Sequence, residues 1–307
     1  MKMLPQKIIC ITFLHSLLFG QKLSLNTVNY DTLISKNLSH SDSISNNVIN
    51  SNLLGKYLKR SGIYLKKSAE TYSIMPNRTL NMIAEENNVY TLMGLTFIIL
   101  PIELTLSRFW GELSSAYYFG KSGNELINVS EYIQGSNSAS FKIAGQNFKK
   151  CGNYNYLSSG FMVGGLTIST YALLKSFENN GNGNSNLFSL GISSILISRL
   201  LHLIPLHYAT LSGKNLTNIS GLFQDEKQNR LIYQSGLDVQ NYSKRTYWGY
   251  YLQALGATLF LVSGENNSMK SIGLGTFILS WFIFDEIGLN VLKSAGDKLE
   301  DLGTLLL

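Results

Sequence analysis

Ionisable side chains are scarce where this chain is most apolar, and the few that occur there are the ones best placed to do chemistry. From Tyr156 to Tyr208 the only charged residues are Lys175, Glu178 and Arg199; from Thr246 to Leu292 they are Glu265, Lys270, Asp285 and Glu286. His202 follows Arg199 by three positions, so on a helix the two share a face. Glu103 lies in an earlier apolar stretch, and Arg108, Glu112 and His207 stand at segment ends. Glu112, His202 and Asp285 each precede a glycine of a recurring phrase (Gly123, Gly213, Gly296) by 11 residues, which puts them at one depth. With Arg199 and Glu286 they form a candidate intramembrane polar cluster that could serve a proton, an ion or a head group. The plainer alternative, which the sequence favours, is that these residues sit in the last third of their helices and snorkel to the interface. If they do not, Asp285 or Glu286 is expected to turn inward toward Arg199 or His202, because a lone carboxylate at a helix centre in hydrocarbon costs about 2.5–3.5 kcal/mol.

Other chemistries are excluded by spacing. His202 and His207 are five apart and point about 140° from each other on a helix, so a di-histidine metal site is not expected. The chain has two cysteines, Cys10 and Cys151, and no CxxC, which removes zinc-ribbon and disulfide-framework readings. There is no glycine-rich phosphate loop, no G-x-S-x-G and no H-E-x-x-H. No catalytic residue, cofactor or metal is assigned. The net charge of +6 is spread without a long basic run, so no nucleic-acid partner is expected.

The elements that must position these residues are apolar helices. Charged residues make up 14% of the 307 positions, while hydrophobic ones reach 45%, against about 25% charged in soluble domains. Five segments (89–106, 156–174, 187–206, 246–263 and 271–292) approach the length that crosses about 30 Å of hydrocarbon. The chain is therefore expected to be all-α: a multi-pass helical membrane protein of about five transmembrane helices, built from tandem αα-hairpin repeats with flanking amphipathic helices.

Residues 1–20 carry Lys2 and Lys7 ahead of the uncharged stretch Ile8–Gly20, the form of a signal peptide or an uncleaved anchor. Residues 21–50 are Asn/Ser-rich and are expected to be a flexible segment. That leader places 51–88, a basic helical segment, outside the cytoplasm. Lys and Arg in loops 108–155 and 209–245 place those loops and the C-terminus in the cytoplasm. The two expectations sit badly together.

A short phrase, a small residue followed by glycine, occurs at Gly62, Gly123, Gly145, Gly213, Gly236 and Gly296. LKRSGIYLKKSA at 58–69 resembles FKIAGQNFKKCG at 141–152 at an offset of 83, and an offset of 91 carries Gly145 onto Gly236. Each repeat unit opens and closes on the phrase. Within the membrane domain 89–307 the repeats are 145–213 and 236–296, while 51–88 belongs to a degenerate first copy.

The expected function is a non-enzymatic integral membrane scaffold or a subunit of an envelope assembly. A small transporter or channel-like protein comes second and a membrane enzyme acting on lipid third. The expected partners are the lipid bilayer and other membrane proteins or further copies of the chain.

Overall fold

Three of the long helices begin at a side chain that caps them. Asn50 Oδ1 accepts from the Leu53 amide at 3.1 Å, Asp225 from Lys227 at 2.9 Å and Asn266 from Met269 at 3.1 Å. Each bond satisfies an amide that a helix start otherwise leaves open. Gly135 (φ 75°) and Gly264 (φ 58°) turn the chain between helices, in a backbone region that side-chain-bearing residues adopt at a cost.

The computed structural model describes residues 50–72, 82, 85, 88, 91, 100–178, 185–219, 221–264 and 266–307, with the side chains at 72, 100–109, 177, 178, 185 and 281–286 outside that description. These residues belong to one unit, Ser43–Leu307. The fold is all-α, with seven helices and no strand among the described residues: α1 (Ser51–Tyr72), α2 (Leu100–Ser130), α3 (Ser136–Glu178), α4 (Ser185–Leu201), α5 (Leu203–Thr217), α6 (Glu226–Val262) and α7 (Asn267–Leu305). The signal peptide 1–20, the segment 21–50 and nearly all of 73–99 lie outside the described residues.

α4 and α5 are consecutive and break at His202. Pro205 has no amide to offer the preceding turn, and the Leu206 amide reaches the His202 carbonyl only at 3.5 Å. The expected amphipathic flanks are not separate helices. α3, α6 and α7 run unbroken for 43, 37 and 39 residues, because no proline interrupts them. Among the described residues, two helices are long and apolar enough to cross a bilayer, Ser136–Ser176 and Asn186–Thr217.

The helices close into a ring. α1 packs on α2, α2 on α3, α3 on α4 and α5, these on α6, α6 on α7, and α7 back on α1. The recurring phrase closes it in one layer. Ser61 donates to the Ser122 carbonyl at 3.2 Å, Ser212 to that of Ala144 at 2.8 Å and Ser235 to that of Ala295 at 2.9 Å. The glycine next to each of these residues faces the other neighbour: Gly123 meets Gly145, Gly213 meets Gly236, and Gly296 meets Gly62. Consecutive residues project about 100° apart around a helix, close to the roughly 120° that separates the two neighbours of a member of a six-membered ring. A small residue plus glycine therefore serves both sides at once. Lateral to this layer the interior is filled by buried side chains, with the Phe119 ring 5.8 Å from Phe148 and 6.1 Å from Tyr242.

α1 runs along the C-terminal part of α7, with Gly55 against Gly303 and Lys66 paired with Asp297 at 2.8 Å. Residues 51–72 and the C-terminal part of α7 therefore lie at the same end of the ring. The physical reason is the glycine seam, which needs the two backbones in contact.

Candidate functional site: a buried charge cluster inside the ring

Three of the five candidate residues converge. Glu112 projects from α2, Arg199 from α4, and His202 from the break between α4 and α5. α2 and α4 are not neighbours in the ring; α3 lies between them. The contact therefore spans the interior. Arg199 Nη1 lies 3.4 Å from Glu112 Oε1, and His202 Nε2 lies 3.9 Å from Glu112 Oε2. Arg199 is fully buried, and Glu112 and His202 are each 2% exposed. Snorkelling is thus not what these three side chains do: they point into the ring, away from its outer face. Their helix break helps. With Pro205 withholding its amide, His202 sits at a kink and its Nδ1 lies 2.9 Å from the Ser198 carbonyl, which only an N–H at that position can bond.

α6 supplies the rest of the enclosure. The Tyr250 ring lies 5.2 Å from the Arg199 guanidinium and 4.8 Å from the His202 ring, a cation–π arrangement that offsets part of the cost of burying the arginine. Arg199 Nη2 also lies 3.3 Å from Met162 Sδ on α3. Ser198, the residue before Arg199, donates to the Ser158 carbonyl at 2.8 Å and holds α4 against α3 beside the ion pair. Gln253, fully buried on α6, has neither its amide oxygen nor its amide nitrogen hydrogen-bonded.

Apolar side chains lie on both sides of this polar layer. Toward the glycine layer stand Phe119, Phe148, Leu206 and Tyr242. Toward the N-terminal ends of α4 and α7 stand Ile195, Leu196, Ala254, Ala257 and Phe277. So enclosed, the arrangement can hold fixed charges and brace α2 to α4. Among the described residues, no group of three or more His, Cys, Asp or Glu is placed to hold a metal ion.

Asp285 and Glu286 fall on the helical backbone of α7, and their side chains lie outside the description. Among the described side chains Glu112 faces Arg199, and the expected inward turn of Asp285 or Glu286 falls on side chains outside that description. Sequence reasoning missed Tyr250 and Gln253. Gln253 carried a signal, as a lone amide in the apolar run LQALGATLFLV; Tyr250 carried none, being one of several aromatics in its run. Comparison of the chain with protein-family models, with curated proteins and with solved structures returned no match.

Proposed function

We propose that the chain is a non-enzymatic integral membrane protein, a multi-pass helical scaffold or envelope-assembly subunit built from tandem hairpins around the glycine layer. The observation that carries this reading is an uncovered apolar belt. Large hydrophobic residues are exposed on α3 (Leu157, Phe161, Leu173), α4 (Leu190, Ile197) and α7 (Ile272, Leu274, Leu279). On a soluble surface so many exposed large apolar side chains along these helices would be unusual. Tyr156 to Leu174 spans about 27 Å of helix, close to the thickness of the hydrocarbon. Exposed Trp110, Tyr156 and Trp248 sit 11 to 13 residues from the glycine layer, where the apolar belt gives way to the lysine-rich end, as interfacial aromatics do. Residues 145–213 run through α3, α4 and α5, and residues 236–296 through α6 and α7; α3 packs on α4 and α5 as α6 packs on α7, which supports the duplicated hairpin. An interior filled on both sides of the ion pair supports a brace over a transport path.

Alkaline carbonate washing of membranes from cells making the full chain tests this. The protein is expected in the pellet and to need detergent for release; release into the supernatant overturns the membrane reading. Reporters fused before α1 and after Leu307 are expected in the same compartment, and opposite compartments would contradict the ring. The second reading, a transporter, is favoured by one observation, the convergence of Glu112, Arg199 and His202. Flux of protons or small cations into proteoliposomes above that of empty vesicles would establish it and remove the scaffold.

A further inference from the structure

The three seams at which glycines face each other share one geometry. In each, a methyl group added to one glycine would collide with the carbonyl oxygen of the opposite glycine and lie close to the residue four further on: Gly296 against Gly62 and Lys66, Gly123 against Gly145 and Lys149, Gly213 against Gly236 and Gln240. Positions along the seams can therefore be matched one to one. On the α7–α1 seam the charges are paired, Lys66 with Asp297 at 2.8 Å and Lys293 with Glu70 at 3.1 Å. At the matching positions of the α2–α3 seam, Lys66 becomes Lys149, Asp297 becomes Asn124 and Glu70 becomes Asn153. Both carboxylates are replaced by neutral amides; Lys66 is kept as Lys149, while Lys293 gives way to Gly120. Lys121 adds a second cation, 5.3 Å from the Tyr117 ring. On the α5–α6 seam the same positions are Lys214, Gln240 and Lys244, and Gln240 donates to Thr217 at 3.4 Å.

The α2–α3 positions line an open groove of about 190 Å³, formed by Lys121, Asn124, Lys149 and Asn153 with Tyr117 and Tyr156, and no acidic residue lines it. The nearby Glu125 is attracted most strongly by Arg60 of α1 and more weakly by Lys121, so only part of the Lys121 charge is met within the chain. Gly120 leaves the groove open, since a methyl group there would meet nothing within 4 Å. Beyond Tyr156, along the same face of α3, Gly160 and Gly164 are equally bare. They lead from the groove into the apolar belt. Two lysines, two amides and two tyrosines thus stand where the lysine-rich end meets the belt, with a smooth strip running on into it.

We propose that this groove binds the head group of an anionic phospholipid, its phosphate held by Lys121 and Lys149 with hydrogen bonds from Asn124 and Asn153, and its acyl chains lying over Gly160 and Gly164. The proposal rests on the membrane reading above. It follows from charge complementarity: the partner carboxylates that the matching seam supplies within the chain are here left to an external anion.

The test is native mass spectrometry of the full-length protein in detergent, titrated with phosphatidylglycerol and with phosphatidylcholine of the same acyl chains. Each lysine near a membrane surface contributes about fivefold in binding of an anionic lipid. Wild type is therefore expected to retain phosphatidylglycerol at least tenfold better than phosphatidylcholine. Lys121→Gln with Lys149→Gln should abolish the preference. Asn124→Asp with Asn153→Glu, which installs the carboxylates of the α7–α1 seam, should abolish it too while leaving the thermal midpoint unchanged. Lys66→Gln should leave it intact. No preference in wild type, or a preference that survives either double variant, overturns the proposal. So does displacement of the lipid by inorganic phosphate at equal concentration, which would mark a site for a soluble anion. These outcomes are separate from carbonate washing: a protein that stays in the pellet yet shows no lipid preference refutes the groove alone.

Discussion

Two layers of the ring, about 11 residues or 16 Å apart along the helices, solve the same problem with opposite materials. The glycine layer joins neighbouring helices by removing side chains, so that backbones touch and serine hydroxyls reach carbonyls. The Glu112–Arg199–His202 layer joins helices that are not neighbours, and needs long side chains to cross the interior. The first depends on shape and tolerates no added atom; the second depends on charge and tolerates no missing partner. The difference teaches where specificity of the ring resides. Small residues set how close the helices come, and one enclosed ion pair sets which helices face each other across the ring.

The largest effect is expected at the glycine layer. Gly145→Val places a side chain where even a methyl group would lie 2.5 Å from the Gly123 carbonyl oxygen. Backbone against backbone cannot yield, so the loss should be on the order of 4 kcal/mol or more. Size-exclusion of the detergent-solubilised variant should show aggregate in place of the wild-type peak. A monodisperse Gly145→Val protein would mean that the layer is looser than the structure has it.

Next comes the ion pair. Glu112→Gln or Arg199→Met leaves a buried charge without its counterpart and should cost about 3–5 kcal/mol in each case. Glu112→Leu combined with Arg199→Met removes both charges and should cost clearly less than the two single changes together. Thermal midpoints in one detergent measure this. Additive losses would show that the two side chains do not act as a brace.

The hydroxyls of the glycine layer are worth less. Ser61→Ala deletes a bond to the Ser122 carbonyl and a 2.9 Å contact with the Ser122 hydroxyl, for a loss of about 1 kcal/mol. Ser122→Ala should cost no more, and the double variant less than the sum, as judged by the same melting assay.

The smallest effect sharpens the comparison from outside. Gly160 and Gly164 form a GxxxG on α3, yet added methyl groups there meet nothing within 4 Å. Gly160→Ala and Gly164→Ala should leave the melting midpoint level or raise it slightly, since alanine favours helix by about 1 kcal/mol over glycine. A large loss at either position would place a packing partner on that face.

Much of the helical layout was legible from the residues. The apolar runs 156–174 and 271–292 fall within α3 and α7, 246–263 ends one residue past α6, and 187–206 spans α4 and α5 across the break at His202, because long apolar periods, capping Asn and Asp, and glycine turns are local signals. The small-Gly phrase was visible as a repetition. Its use was not: nothing in Ser61-Gly62 says that the serine faces α2 while the glycine faces α7. The site was half legible. Depth counted back from the phrase singled out Glu112 and His202, but snorkelling looked the better account, since sequence does not tell an inward face from an outward one when both faces are apolar. Nothing local announced that Arg199 meets Glu112, 87 residues earlier in the chain, across the ring.

By itself, then, the sequence determined which stretches are helical, where glycine recurs, and that charge is withheld from particular runs, because propensity, capping and composition act over a few residues. Only the tertiary structure decided that α1 closes on α7 and that Gly62 and Gly296 meet. It alone brought Glu112 and Arg199 together and left Asn124 and Asn153 where their counterparts, Asp297 and Glu70, hold lysines. Those contacts join residues far apart in the chain, and their existence depends on the relative register of six antiparallel rods, a quantity that no single stretch of residues carries.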